Sequence, residues 1–283
     1  MRWEGRRESG NIEDRRGMGG MGVGLPVGGG IGGLVLLLLI SWLTGTNPLD
    51  LISTSSVPQD QTVGTTGVRD KDPQAEFIAV VLADTEDTWR DVFRQRGQAY
   101  VPPVLVLFND ATQSACGVGR AEVGPFYCAG DRKVYLDLSF FRELDERFGA
   151  PGDFAQAYVV AHEVGHHVQN LLGISESVTA ARSRADDRQG NALSVRLELQ
   201  ADCYAGVWGH YASARGLLES GDAQEGLNAA AAIGDDRLQR MSRGEVIPET
   251  FTHGSSADRA RWLHRGLDGG TIESCDTFSN GTH

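Results

Sequence analysis

The sequence predicts a helix-rich α+β domain set behind one apolar segment. Three observations carry this. Two short strand-like runs are followed only by helical periodicity, one of the helices contains His-Glu-x-x-His, and residues 17–49 hold no charged side chain. The 283 residues, 40% hydrophobic and 23% charged, suffice for one domain with a real core plus an appendage. A net charge of -12 repels phosphate, so nucleic acid is not expected as a partner.

In chain order, residues 1–22 read as an arginine-rich arm, with Arg2, Arg6, Arg7, Arg15 and Arg16 against four acids. Val23 to Leu43 follows, 21 residues densest from Leu34 to Ile40, about one bilayer crossing as a helix. A cleaved signal peptide competes, but no Ala-x-Ala-like site follows and the preceding arm is long for one. No basic residue follows until Arg69, so the positive-inside rule places the N-terminus in the cytoplasm and the rest outside, a single-pass protein held in a lipid bilayer. Residues 44–74, rich in Thr, Ser, Gly, Pro and Asp, read as a flexible linker, and 75–283 as the folded domain.

Within that domain Asp84 to Arg96 reads as helix, Val104 to Phe108 as a buried strand and Val134 to Phe140 as a second strand whose edge could pair with an extended peptide. Helical periodicity then runs over Asp153–Leu172, Val195–Leu218, Asp222–Met241 and Ser255–Leu267. Cys116, Cys128, Cys203 and Cys275 are an even number in a region placed outside the cell, where disulfides persist. Three pairings exist; the short Gly/Pro-containing stretch between Cys116 and Cys128 favours a local loop, leaving Cys203 with Cys275.

The chemistry lies in Ala161-His162-Glu163-Val164-Gly165-His166-His167. Residues four apart on a helix differ by about 40° around its axis, so His162 and His166 can reach one ion, whereas His167 is about 140° from His162 and belongs to another face. Glu163 projects beside the pair, where a carboxylate can take a proton from an activated water. Isolated His and Glu among Val159, Val160, Val164 and Val168 would be costly, which favours a metal over chance. Gln169 and Leu172 stand where a metzincin has Gly and His, so that class is excluded. A third ligand is supplied by Glu198 or Asp202, again four apart: one carboxylate can bind the ion while the other accepts the N–H of a ligand histidine. Glu176 is a weaker candidate.

The segments HEVGHH, ELQADCYAG and FTHGSSADRARW, with the MRWEGRRESGNIEDRRG start, resemble the bacterial neutral zinc metallopeptidase family, membrane-anchored relatives of the gluzincins. The resemblance implies a zincin fold, with Zn2+ on His162, His166 and Glu198 and Glu163 as base, but no known substrate; the residues themselves lead to the expectation of a zinc metalloendopeptidase acting on a protein or peptide, with Asp202 orienting a ligand histidine. Thr252-His253-Gly254-Ser255-Ser256, with Arg259 after it, is similar to the Ser-Thr-His-Pro segment of membrane gluzincins related to the CAAX proteases, which implies an oxyanion-stabilising role for His253; Gly254 replaces the proline. A zinc module without turnover, or a zinc amidase or esterase, would present the same residues.

Overall fold

Val104 to Phe108 forms a strand in which alternate residues enter two different clusters, Leu105 and Leu107 in the large core and Val106 and Phe108 in a smaller one. A strand covered on both faces needs no polar alternation. It belongs to a computed structural model that describes residues 1–17, 65–66, 72–121 and 124–279. Residues 1–16 and 65–283 form one unit and residues 17–64 another, and the elements below belong to the first.

The strands are β1 Ile12–Asp14, β2 Thr65–Thr66, β3 Val104–Phe108, β4 Ala111–Ser114, β5 Gly117–Arg120, β6 Phe126–Cys128 and β7 Lys133–Asp137. The helices are α1 Pro73–Gln95, α2 Ser139–Glu146, α3 Asp153–Leu171, α4 Ile174–Arg182, α5 Asp187–Ala214, α6 Asp222–Ala232, α7 Asp235–Arg243 and α8 Ser256–Gly269. One sheet has the order β2-β1-β3-β7-β6, with β1, β3 and β7 parallel and both outer strands antiparallel; β4 and β5 form a separate hairpin. This is the expected helix-rich α+β class with a small sheet.

Several boundaries differ from expectation for local reasons. Asp72 caps α1 by accepting from the backbone N–H groups of Gln74 and Ala75, so that helix starts eleven residues before Asp84 and inside the expected linker. The strand expected to reach Phe140 stops at Asp137, whose carboxylate accepts the Ser139 N–H as α2 begins. This β7 is interior, between β3 and β6, so it offers no edge. The helix expected over Asp222–Met241 breaks at Gly234, where a Cβ would collide with the backbone of Ser256.

The largest departure is the N-terminal arm. Residues 1–16, expected as a separate body, are part of this unit: β1 pairs with β3, and Ile12 is 1% exposed in the main core. The expected span Val23 to Leu43 lies outside the described residues. Among the described residues, no helix is long and apolar enough to cross a membrane.

Two disulfides join Cys116 to Cys128 and Cys203 to Cys275, the pairing favoured by the sequence. Helices α3, α5 and α8 pack at distances that only glycine permits. A Cβ on Gly165 would lie 2.9 Å from the carbonyl oxygen of Ala201, and one on Gly266 would collide with that of Cys203. The unspecified glycine inside His-Glu-x-Gly-His thus brings α5 close enough to set its carboxylates against the histidines of α3.

Candidate active site

His162, Glu163 and His166 stand on α3 and Glu198 and Asp202 on α5. Glu198 Oε2 lies 3.1 Å from His162 Nε2, and its Oε1 lies 3.4 Å from His166 Nε2. One donor atom from each of these three residues falls within 4.8 Å of the others, close enough to share an ion. Asp202 takes the other role, so the two carboxylates the sequence left interchangeable are distinguished. Glu176 is exposed on α4 and takes no part.

Each histidine is held in one tautomer. Asp202 Oδ1 is 2.8 Å from His162 Nδ1, which places the proton there and leaves Nε2 facing the ligand cluster. Gln169 Oε1 does the same for His166 Nδ1 at 2.9 Å. The Gln169 amide is itself oriented by donating to the Leu197 carbonyl at 2.7 Å and to Gln200 Oε1 at 3.1 Å. Two nitrogen donors with fixed lone-pair directions and one carboxylate, with room beside them, are the donor set zinc takes in a hydrolytic site.

Without an ion the carboxylates draw protons onto the histidines, a positive charge that a metal would have to displace on binding. Burial alone disfavours an imidazolium at His162, but Asp202 and Glu198 outweigh it and push its pKa up to about 10. Glu198 is held well below the usual carboxylate range, against burial, by His166 and His162. Asp202 is likewise held down at about 2 despite burial, chiefly by Arg259. Arg259 from α8 is 3% exposed and grips Asp202 with Nε at 2.9 Å and Nη2 at 3.0 Å, while Tyr158 OH donates to Asp202 at 2.6 Å.

Glu163 is 8% exposed, takes no part in that network, and lines a cleft of about 660 Å³ shared with His162, His166, Glu198 and His253. Apolar cleft walls come from Phe126, Phe140, Phe148, Ile233 and Leu238. His253 is half-exposed there. Asp235 Oδ2 accepts the backbone N–H groups of Thr252, His253 and Gly254, and Oδ1 lies 3.3 Å from His253 Nδ1, a contact that raises the imidazole pKa against the effect of burial. Gly254 has φ +103°, a value closed to proline, which accounts for its place where the similar segment has Pro.

His167, excluded as a ligand by its angle, does a different job. Its Nε2 lies 2.7 Å from the Val101 carbonyl and must carry the proton, so Nδ1 accepts from Tyr127 OH at 3.0 Å. Asn170 donates to the same hydroxyl at 3.0 Å. Burial lowers the His167 pKa to about 4, keeping the ring neutral. Helix α3 thereby holds β6, an outer strand of the sheet, along the cleft. Gln169, Arg259, Tyr158 and Asp235 were not assigned roles from sequence; the hints were the i, i+3 spacing of Gln169 from His166 and the place of Arg259 after the Thr252–Ser256 segment. A second carboxylate group, Asp153, Asp222 and Glu225, could also approach one ion, but the Met1 α-amino nitrogen lies 2.7 Å from Asp153 and 3.4 Å from Asp222.

Two predictions follow from how His166 is held. Gln169→Ala should weaken zinc binding by roughly 10-fold or more, as loss of such outer hydrogen bonds does, read by competition with a chromogenic chelator; unchanged affinity would remove Gln169 from the site. Gln200, the next link, donates to the Cys275 carbonyl at 3.1 Å, beside the buried Cys203–Cys275 disulfide. The double variant Cys203→Ala, Cys275→Ala should therefore retain less zinc after dialysis and lose about 2–5 kcal/mol of stability. Full zinc content with a lowered melting temperature would confine the disulfide to a stabilising role.

Two tautomer-locked histidines, a carboxylate as third donor and a neighbouring glutamate, all carried on helices, form a candidate hydrolytic metal site. The chain belongs to the family described as "putative neutral zinc metallopeptidase", which matches residues 1–278. It is similar to uncharacterized protein YpfJ of Escherichia coli K12, 49% identical over 98% of this chain and 99% of that one. It is also similar to uncharacterized protein Rv2575 of Mycobacterium tuberculosis H37Rv, 44% identical over 72% of this chain and 71% of that one. No solved structure matches.

Proposed function

We propose that the chain is a zinc metalloendopeptidase that hydrolyses extended peptides in the cleft between α3 and β6. The observation that carries this is the pairing of tautomer-locked His162 and His166 and Glu198 with Glu163, a buried carboxylate outside the ligand network that faces the same cleft. A metal site that served structure alone would have no use for it. When bound, zinc supplies a Lewis acid to the attacking water and the scissile carbonyl. Glu163 takes the proton of the attacking water and delivers it to the leaving amine. Asp202 and Gln169 keep the histidine Nε2 atoms aimed at the ion. His253, its backbone pinned by Asp235, donates to the developing oxyanion. As an edge strand, β6 leaves backbone groups free to pair with an extended substrate, and its Phe126 and Tyr127 line the cleft, which favours a peptide over a compact small molecule. The apolar stretch supports attachment to a lipid bilayer. Both disulfides support an oxidising compartment for the domain.

The test is cleavage of a mixed peptide library by the zinc-loaded full-length chain, with and without a chelator. Cleavage that the chelator stops and added zinc restores is expected. Intact peptides with zinc fully bound would overturn the peptidase reading in favour of a binding module or an amidase or esterase acting on another carbonyl.

A further inference from the structure

Residues 1–16 are a working part of the folded domain. β1 lies between β2 and β3. The Leu105 N–H donates to the Asn11 carbonyl at 2.9 Å, and the Arg15 N–H to the Leu107 carbonyl at 2.8 Å, so the segment brackets the middle of β3 from both ends. Its side chains help to satisfy a buried carboxylate: Glu86 on α1 is 1% exposed, its Oε1 accepts from Ser9 Oγ at 2.5 Å and Asn11 Nδ2 at 2.7 Å, and its Oε2 from Arg7 at 3.3 Å and from Arg90 of α1 at 3.1 Å. Without the segment, Glu86 Oε1 would lose both of these donors while buried, a costly arrangement.

The five arginines that suggested a cytoplasmic arm all have partners in this body. Arg2 meets Glu219, Arg6 donates to the carbonyls of Arg215 and Gly216, and Arg7 meets Glu86 and Asp87. Arg15 meets Glu13 and donates to Thr112 and Gln113, and Arg16 meets Asp14 and Asp72. Their clustering is explained by folding, which removes the ground for applying the positive-inside rule to them.

We infer that residues 1–16 and the zinc site occupy the same side of any membrane that holds the chain. A strand inserted in a sheet cannot be separated from that sheet by a bilayer, and this holds equally if a second copy supplies the strand. The sequence-based topology, N-terminus inside and domain outside, is thereby replaced. The inference is independent of peptidase activity.

All four native cysteines are in disulfides, so an added cysteine is the sole thiol available. The full-length chain carrying Glu8→Cys or Glu245→Cys, both at exposed positions, is expressed in bacteria, and spheroplasts are treated with a membrane-impermeant maleimide before and after permeabilisation. The two positions should label to the same extent in each condition. Labelling of one in intact spheroplasts and of the other only after permeabilisation would overturn the inference. Hydrogen exchange on the unmodified full-length protein reads the same point without substitution: the Arg15 and Leu105 amides should exchange orders of magnitude more slowly than in an unstructured peptide, and exchange at the free-peptide rate would equally overturn it.

Discussion

Glu163→Gln is expected to keep its zinc and lower turnover by about 10²–10⁴-fold. The substitution preserves size and removes only the capacity to accept a proton. Glu163 is buried in the cleft wall, while the bonds that hold His162 and His166 run to Asp202, Gln169 and Glu198, so the ligand set stands without it. The measurement is kcat on the best peptide from the library, alongside metal content and melting temperature of the same preparation. A variant with full zinc, an unchanged melting temperature and wild-type kcat would remove Glu163 from the role of base. Loss of zinc together with activity would instead make it part of the metal site, contrary to the geometry.

How legible the site was depended on the reach of each interaction. His162, Glu163 and His166 lie within one turn of a helix, where spacing dictates geometry, and the structure brings the two histidines together as that spacing requires. Glu198 and Asp202 were found by the same rule, but their division of labour depends on Arg259, 57 residues beyond Asp202 and on another helix. Gln169 falls in the same class: its spacing from His166 is local, yet what makes it an orienting group is the Leu197 carbonyl of α5. The angle that excluded His167 as ligand was sound, and its bond to Tyr127, 40 residues away, had no local signal.

The N-terminal arm shows the opposite failure, a local pattern with a non-local cause. Arginines beside an apolar segment look like a topological signal. Their partners lie far along the chain, Asp72 by 56 residues from Arg16 and Glu219 by 217 from Arg2, and a three-residue strand, Ile12-Glu13-Asp14, is too short to show a period. The helices α1, α3, α5, α6 and α8, whose stabilising contacts are largely periodic, overlap the expected runs, whereas the short α2 and α4 were not expected; the ends were set by caps such as Asp72 and by close contacts such as that of Gly234 with Ser256.

Asp202→Ala should cost about 3–5 kcal/mol of stability, because it leaves the buried Arg259 guanidinium without its counterion. It should also weaken zinc binding by about 10–100-fold, because His162 Nδ1 loses the acceptor that fixes its tautomer. The two effects have separate physical causes and can be separated. In Asp202→Ala with Arg259→Leu the orphaned charge is gone, so much of the melting temperature should return, as it does when buried ion pairs are replaced by apolar groups. The histidine still lacks its partner, so zinc affinity should stay low. Recovery of both in the double variant would mean that Asp202 acts on the metal only by neutralising Arg259, and the direct bond to His162 would then carry no weight.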